Sequence, residues 1–247
     1  PPFDKILPEH FMPAFERGMS LHEAEIDAIT SNKDEATFEN TILAYDNAGQ
    51  MLAQTELVFG MLCAAETNDR MQALQEQAMP LLAAHRDKIR LDDKLFVRVK
   101  EVYDRRAALG LDAEQMRLLQ KTYDSFVRAG ALLDAEQKAR LKEINGQLSL
   151  TAVKFGNNIL AENNNFVLEL KSDELDGLPA GIRDAAREKA QQMGKGDKWV
   201  FTLHKPSLIP LLTYSTRRDL REKIYKAYLN RCNNGDEYDN KQLINDF

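Results

Sequence analysis

The chain has 247 residues, 43% hydrophobic and 29% charged, the balance of a globular protein long enough to bury a sizeable core. A net charge of −6 argues against nucleic acid as a partner, because phosphate binding needs a concentrated basic face. No apolar run approaches the roughly 18 residues that span a bilayer, so no membrane segment is expected.

Helical periodicity dominates the first two thirds. Phe38, Ile42 and Tyr45, followed by Leu52, Phe59 and Leu62, predict one long helix over 38–64 with Thr37 as its N-cap. Leu95, Val99 and Val102 repeat the spacing ahead of Gly110. The pentapeptide Leu-Asp-Ala-Glu-Gln then occurs twice, at 111–115 and 133–137. In each copy an Asp (Asp112, Asp134) stands three residues before a Gln (Gln115, Gln137), the spacing of a capping box. The residues after the two copies differ, so they predict two helix starts and no solenoid. The second copy opens the longest predicted helix, with Leu141, Ile144, Leu148, Thr151, Phe155 and Ile159 on one face up to the stop at Asn163-Asn164-Asn165.

The texture then changes. Residues 166–170 and 199–203 have strand character and predict a small antiparallel ribbon, with a helix over about 179–193 and a loop at 194–197 between them. A last helix, about 216–231, carries Leu220, Ile224 and Tyr228 on one face. The predicted fold class is mainly α, a multi-helix region with one small antiparallel β-ribbon, and no linker marks an internal domain boundary. The chain opens on Pro1-Pro2 without a Met, and residues 240–247 begin an amphipathic turn that carries no C-cap. A piece of a longer protein is therefore expected.

The chemical inventory is short. Cys63 and Cys232 stand far apart, outside any CxxC or ligand cluster, and read as buried, inert thiols. His22-Glu23 matches the first half of the HExxH zinc motif, but the second His position is Ile26, which reads as a buried face. One His cannot fix a catalytic zinc, so His22 reads as a surface residue. His204 follows the second strand and reads as a local cap or hydrogen-bonding group; His10 and His85 lack clustered partners; Glu162 reads as solvated. Gly194-Lys195-Gly196 lacks the glycine set of a nucleotide loop, and no GxSxG elbow is present. Arg217, Arg218, Arg221, Lys223 and Lys226 alternate with Asp219 and Glu222, a solvated helix face with a domain contact or an anionic peptide end as the alternative. No catalytic, cofactor-binding or metal-binding residue is assigned to this chain.

Three blocks carry a resemblance. Residues 1–16 (Pro1-Pro2-Phe3-Asp4-Lys5-Ile6, then Pro8 to Glu16), then Thr37-Phe38-Glu39-Asn40-Thr41-Ile42, resemble the amino-terminal region of the thimet oligopeptidase family of zinc metallopeptidases. The third block is Leu211-Leu212-Thr213-Tyr214-Ser215 with Arg218, Leu220-Arg221-Glu222-Lys223, Tyr225, Ala227-Tyr228 and Asp239-Asn240. It resembles the bacterial peptidyl-dipeptidase branch more than the oligopeptidase A branch. The resemblance implies a neurolysin-like, mainly helical metallopeptidase whose two halves enclose a substrate channel. It also implies that the parent holds zinc on an HExxH helix and releases carboxyl-terminal dipeptides from oligopeptides. HExxH, the third ligand and the oxyanion-stabilising residues belong to the carboxyl-terminal half of that family, and none is present here. The expectation is that residues 1–247 form an amino-terminal helical region, inactive alone, whose partners are an oligopeptide substrate and its own missing catalytic domain. The rival expectation is a free-standing helical interaction module. The compartment is unknown, with the cytoplasm favoured over the periplasm.

Overall fold

The computed structural model describes every residue from Pro1 to Phe247. Helix accounts for 73% of the chain and the sheet has two strands, so the mainly-α fold with a small ribbon is what these residues form. The chain divides within one helix into two compact units, Pro1–Val153 and Lys154–Phe247. Helical periodicity continues through the division, which is why composition marks no boundary there.

The first unit holds α1 (Phe11–Ser31), a π-helical segment (Phe38–Leu43) that continues into α2 (Ala44–Asp46), α3 (Gln50–Ala65), α4 (Asp69–Arg90), α5 (Asp93–Asp104) and α6 (Ala113–Arg128). It also contains the first part of α7 (Ala135–Asn165), the longest helix. Both capping boxes form. Asp112 accepts from Gln115 N at 2.8 Å and Asp134 accepts from Gln137 N at 2.9 Å, while each Gln side chain accepts from the Asp backbone N–H. Two apolar clusters hold the unit. Phe59 meets Phe11 and Phe15 edge to face, with ring centroids 4.9 and 5.3 Å apart, in a cluster with Leu52, Met71 and Leu82. Ile26, Ile42, Leu95, Val99, Leu119 and Phe126 form the second cluster.

The single helix expected over 38–64 is not continuous. It breaks at Asn47–Gly49, where Gly49 has φ +73°. The Gly49 N–H donates to Glu25 Oε2 at 2.7 Å, and a Cβ at this position would lie 2.9 Å from His22 Nδ1. Close approach of the backbone to α1, together with the left-handed conformation, requires glycine here and ends the helical run. Thr37 is the N-cap, as its spacing predicts: its Oγ1 accepts from Asn40 N at 3.1 Å.

Asn40 ties this corner together. Its Oδ1 accepts from Thr37 N, Thr41 Oγ1 and Arg98 Nη2, and its Nδ2 donates to Glu35 O. Arg98, buried on α5, also donates Nη1 to Asn32 O and Asp34 O at 3.0 and 3.1 Å. The 37–42 block is thus a hydrogen-bonded knot that fixes the entry to the π-helical turn.

In the second unit β1 (Leu168–Leu170) pairs antiparallel with β2 (Trp199–Phe201), Leu168 opposite Phe201 and Leu170 opposite Trp199. The strands are shorter than the runs at 166–170 and 199–203. Around them lie α8 (Ala180–Gln192), α9 (Lys205–Tyr214), α10 (Arg218–Leu229) and α11 (Lys241–Asp246). Their core is Leu168, Leu170, Leu178, Phe201, Leu203, Leu211 and Ile224. As expected, α10 turns Leu220 and Ile224 inward, with Tyr228 packed at the edge of the cluster.

Candidate functional site

The third sequence block builds the most articulated surface of the second unit. Leu211 and Ser215 are buried at the end of α9, and the Ser215 carbonyl accepts from the Arg221 guanidinium on α10. This bond fixes the angle between the two helices. Downstream, Asn240 is buried and closes the loop 230–240. Its N–H donates to Cys232 O at 2.8 Å, its Oδ1 accepts from Asn158 Nδ2 at 2.8 Å, and its Nδ2 donates to Phe155 O at 3.2 Å. Beside it Asp239 accepts from Gly235 N and Lys241 N, and the backbone N–H of Lys241 is the main reason its carboxyl is held below the usual range.

Glu162 is not simply solvated, as its polar flanks suggest. Its carboxylate accepts from the Cys232 N–H and from Asn234 Nδ2, so it anchors the same loop to α7. Cys232 is buried with φ +56°, and burial together with the neighbouring Glu162 carboxylate pushes its thiol up to about 11. A thiol held in that state carries almost no nucleophilic thiolate at neutral pH. Cys63 is half-buried and likewise raised by burial. The reading of a buried, inert thiol holds for Cys232, whereas Cys63 is less buried than expected.

This loop, α7 and α10 frame a groove of about 390 Å³ lined by Phe155, Ile159, Tyr228, Leu229, Arg231 and Ile244. Arg231 does not project freely into it. Its guanidinium stacks 3.9 Å over the Tyr228 ring and donates to Tyr228 O and Asn163 Oδ1. The lining mixes apolar side chains with Asn233, Asn240 and Lys241, and its charged groups are engaged, Lys241 with Asp239 at 3.1 Å. On the outer face of α10, Arg218, Glu222, Tyr225, Lys226 and Leu229 form an exposed stripe, with Lys226 paired to Glu222. Arg217 pairs with Asp219 at 2.7 Å, so the basic cluster is mostly a mixed-charge solvated face.

In the first unit the structure joins two histidines that the sequence keeps 63 residues apart. His85 Nε2 lies 3.0 Å from His22 Nδ1, so His22 is not a plain surface residue and His85 is not without a partner. Ile26, where HExxH would place its second His, is buried as its apolar character predicts. No signal in the sequence joins α1 to α4 at these positions. His204 stands at the N-cap of α9, but its ring makes no cap; Nε2 instead lies 3.3 Å from Asn164 Oδ1. His10 accepts from Leu7 N at the start of α1.

These side chains do not fit a catalytic zinc. No three His, Cys, Asp or Glu groups converge anywhere in the chain. The His pair offers two nitrogens turned toward each other, whereas a zinc site needs three or four convergent ligands. No helix is long and apolar enough to cross a membrane.

With this architecture in view, the chain is homologous over nearly its whole length to peptidases of the thimet oligopeptidase family, the match lying in their amino-terminal portion. The dipeptidyl carboxypeptidase of Escherichia coli K12 is 36% identical over 245 residues, and that of Salmonella typhimurium is 34% identical over 245 residues. Oligopeptidase A of Escherichia coli K12 is 25% identical over 249 residues. Each match takes in 99% of this chain and 36% of the relative, so the chain spans little more than a third of the length of these relatives. No protein-family model matches it.

Proposed function

We propose that this chain is the amino-terminal part of a zinc-dependent peptidyl-dipeptidase that releases carboxyl-terminal dipeptides from oligopeptides, and that it forms one wall of the substrate channel. The observation that carries this reading is the 36% identity over 245 residues to a dipeptidyl carboxypeptidase, set against the lower identity to oligopeptidase A. Zinc, the water it activates and the Glu that takes the proton would come from the remainder of the longer protein. This chain's own residues shape and rigidify the wall. Ser215 and Arg221 set the α9–α10 angle, while Asn240 and Glu162 hold the loop that borders the groove.

Exposed apolar side chains supply contact surface for such a role. Tyr225 is 50% exposed, while Leu229 and Ile244 are each 60% exposed. Exposure of this kind is not confined to the second unit, since Leu57 and Met61 on α3 are 65% and 52% exposed. Contact with the rest of the protein is therefore expected from both units.

The test is release of a carboxyl-terminal dipeptide from a short synthetic peptide, with added zinc. The chain alone should give no turnover above the metal-only control, and the full-length protein should give turnover that a chelator abolishes. Chelator-sensitive turnover by the chain alone would overturn the division of roles. A full-length protein without peptidase activity would favour the interaction-module reading.

A further inference from the structure

The His-Glu pair on α1 finds a second histidine through the fold, and the result is a titratable contact between helices. His85 is 5% exposed, and its Nδ1 is buried without a hydrogen-bond partner. Glu23 Oε1 lies 3.5 Å from that nitrogen, beyond good bonding range, and is itself bound to Lys88 Nζ at 2.9 Å. A carboxylate on that side favours an N–H on His85 Nδ1, which leaves Nε2 as the lone-pair acceptor for the Nδ1–H of His22. Gly49 packs against the same ring, where an added Cβ would lie 2.9 Å from His22 Nδ1.

We propose that the His22–His85 contact is an acid-operated latch holding α1 to α4, closed while the accepting nitrogen of His85 carries no proton and opened when it takes one. A first proton can enter on His22 Nε2, and the contact then survives as a charge-assisted bond. A second proton has only the accepting nitrogen of His85 to occupy. It removes the bond and places two cations with their rings 5.1 Å apart.

The surrounding charges act in both directions. On α1, Glu23 and Glu25 favour protonation, as does Glu56 on α3, whereas Arg86 and Lys88 on α4 oppose it. Burial is the largest influence on each ring and outweighs the carboxylates, so both imidazoles are held below their ordinary value of 6.5. For a depressed histidine the unfolded chain binds the extra proton first. Folding stability is therefore intact above pH 6.5 and is lost as pH falls from there toward the folded-state value. Each proton withheld by the folded state reduces the folding equilibrium constant by at most about tenfold per pH unit within that window.

The experiment is denaturant unfolding of the chain at pH 7.5, 6.5 and 5.5, alongside His85→Gln and His22→Asn. Between pH 6.5 and 5.5 the parent chain should lose more in its folding constant than His85→Gln, by up to about fivefold. His22→Asn should also flatten the slope, because an amide oxygen can accept from a protonated His85. Equal slopes in all three, or a flattened slope in His85→Gln alone, would overturn the latch, the second outcome reducing it to burial of one ring. Should either variant fail to fold, imidazole proton NMR of the parent chain decides the matter. The His85 resonance should titrate below 6.5, because burial disfavours its charged form, and a full titration of it at or above 6.5 in the folded chain would refute the proposal.

Discussion

Arg98→Ala is expected to destabilise the first unit by about 3–5 kcal/mol, read as a fall in the denaturant midpoint at unchanged slope. Three acceptors converge on the guanidinium, the carbonyls of Asn32 and Asp34 and the Oδ1 of Asn40; truncation removes all three bonds and leaves the two carbonyls without this partner, while Asn40 Oδ1 keeps Thr37 N and Thr41 Oγ1. A hydrogen bond to a charged group contributes roughly 1.5–3 kcal/mol, and each orphaned acceptor adds a desolvation cost. Against this stands one cost in the native protein, because Arg98 Nε is buried without a partner. That single orphan does not offset three lost bonds. Arg98→Lys should recover little, since one ammonium cannot reproduce the planar fork that reaches three oxygens. A loss under about 1 kcal/mol for Arg98→Ala would show that the knot is solvated and not structural.

The second large effect is expected at Gly177. It has φ +82°, and a Cβ there would lie 2.1 Å from the Tyr214 carbonyl oxygen and 3.0 Å from Thr216 N. Those atoms belong to the turn between α9 and α10, which is pinned to the same loop because Thr216 donates from N and Oγ1 to Asp176. The loop cannot shift without breaking these bonds. Gly177→Ala should therefore cost more than about 3 kcal/mol or leave the second unit unfolded. Gly235→Ala is the control. It has φ +70° with nothing within 4 Å of the added carbon, so only the left-handed conformation is penalised, at about 1 kcal/mol. Equal losses at the two positions, measured by thermal or denaturant unfolding, would contradict the packing account.

What the sequence revealed follows from the range of the interactions involved. Capping boxes are local, so Asp112, Asp134 and Thr37 are readable from residues three positions apart, and the structure forms all three. The ribbon is likewise readable because two apolar runs differ in texture from the helices around them. The break at Gly49 is not. A lone glycine in an apolar repeat reads as a tolerated cost, and only the proximity of His22 on another helix makes it obligatory. Helix α9 also escapes the pattern, because Pro206 and Pro210 lie four residues apart. The first is tolerated in the opening turn, and the second sits inside the helix.

The candidate site was less legible than the fold. Asn240, Glu162 and Cys232 act through partners 70 to 85 residues away, and nothing in their local spacing announces those contacts. Two of the three blocks quoted for the family resemblance turn out to be hydrogen-bonded knots, at 37–42 around Asn40 and at 211–240 around Ser215, Arg221 and Asn240. Such residues satisfy buried polar groups, which a single substitution leaves unpaired.

The most direct test of the central claim is a chimera. The matched segment of the Escherichia coli dipeptidyl carboxypeptidase, 36% of that protein, is replaced by this chain, and release of carboxyl-terminal dipeptides from a short peptide is measured with and without a chelator. A chain that forms the wall of a peptidyl-dipeptidase channel should give a folded chimera with chelator-sensitive dipeptide release. A chimera that folds, retains its zinc and releases no dipeptide would contradict the account.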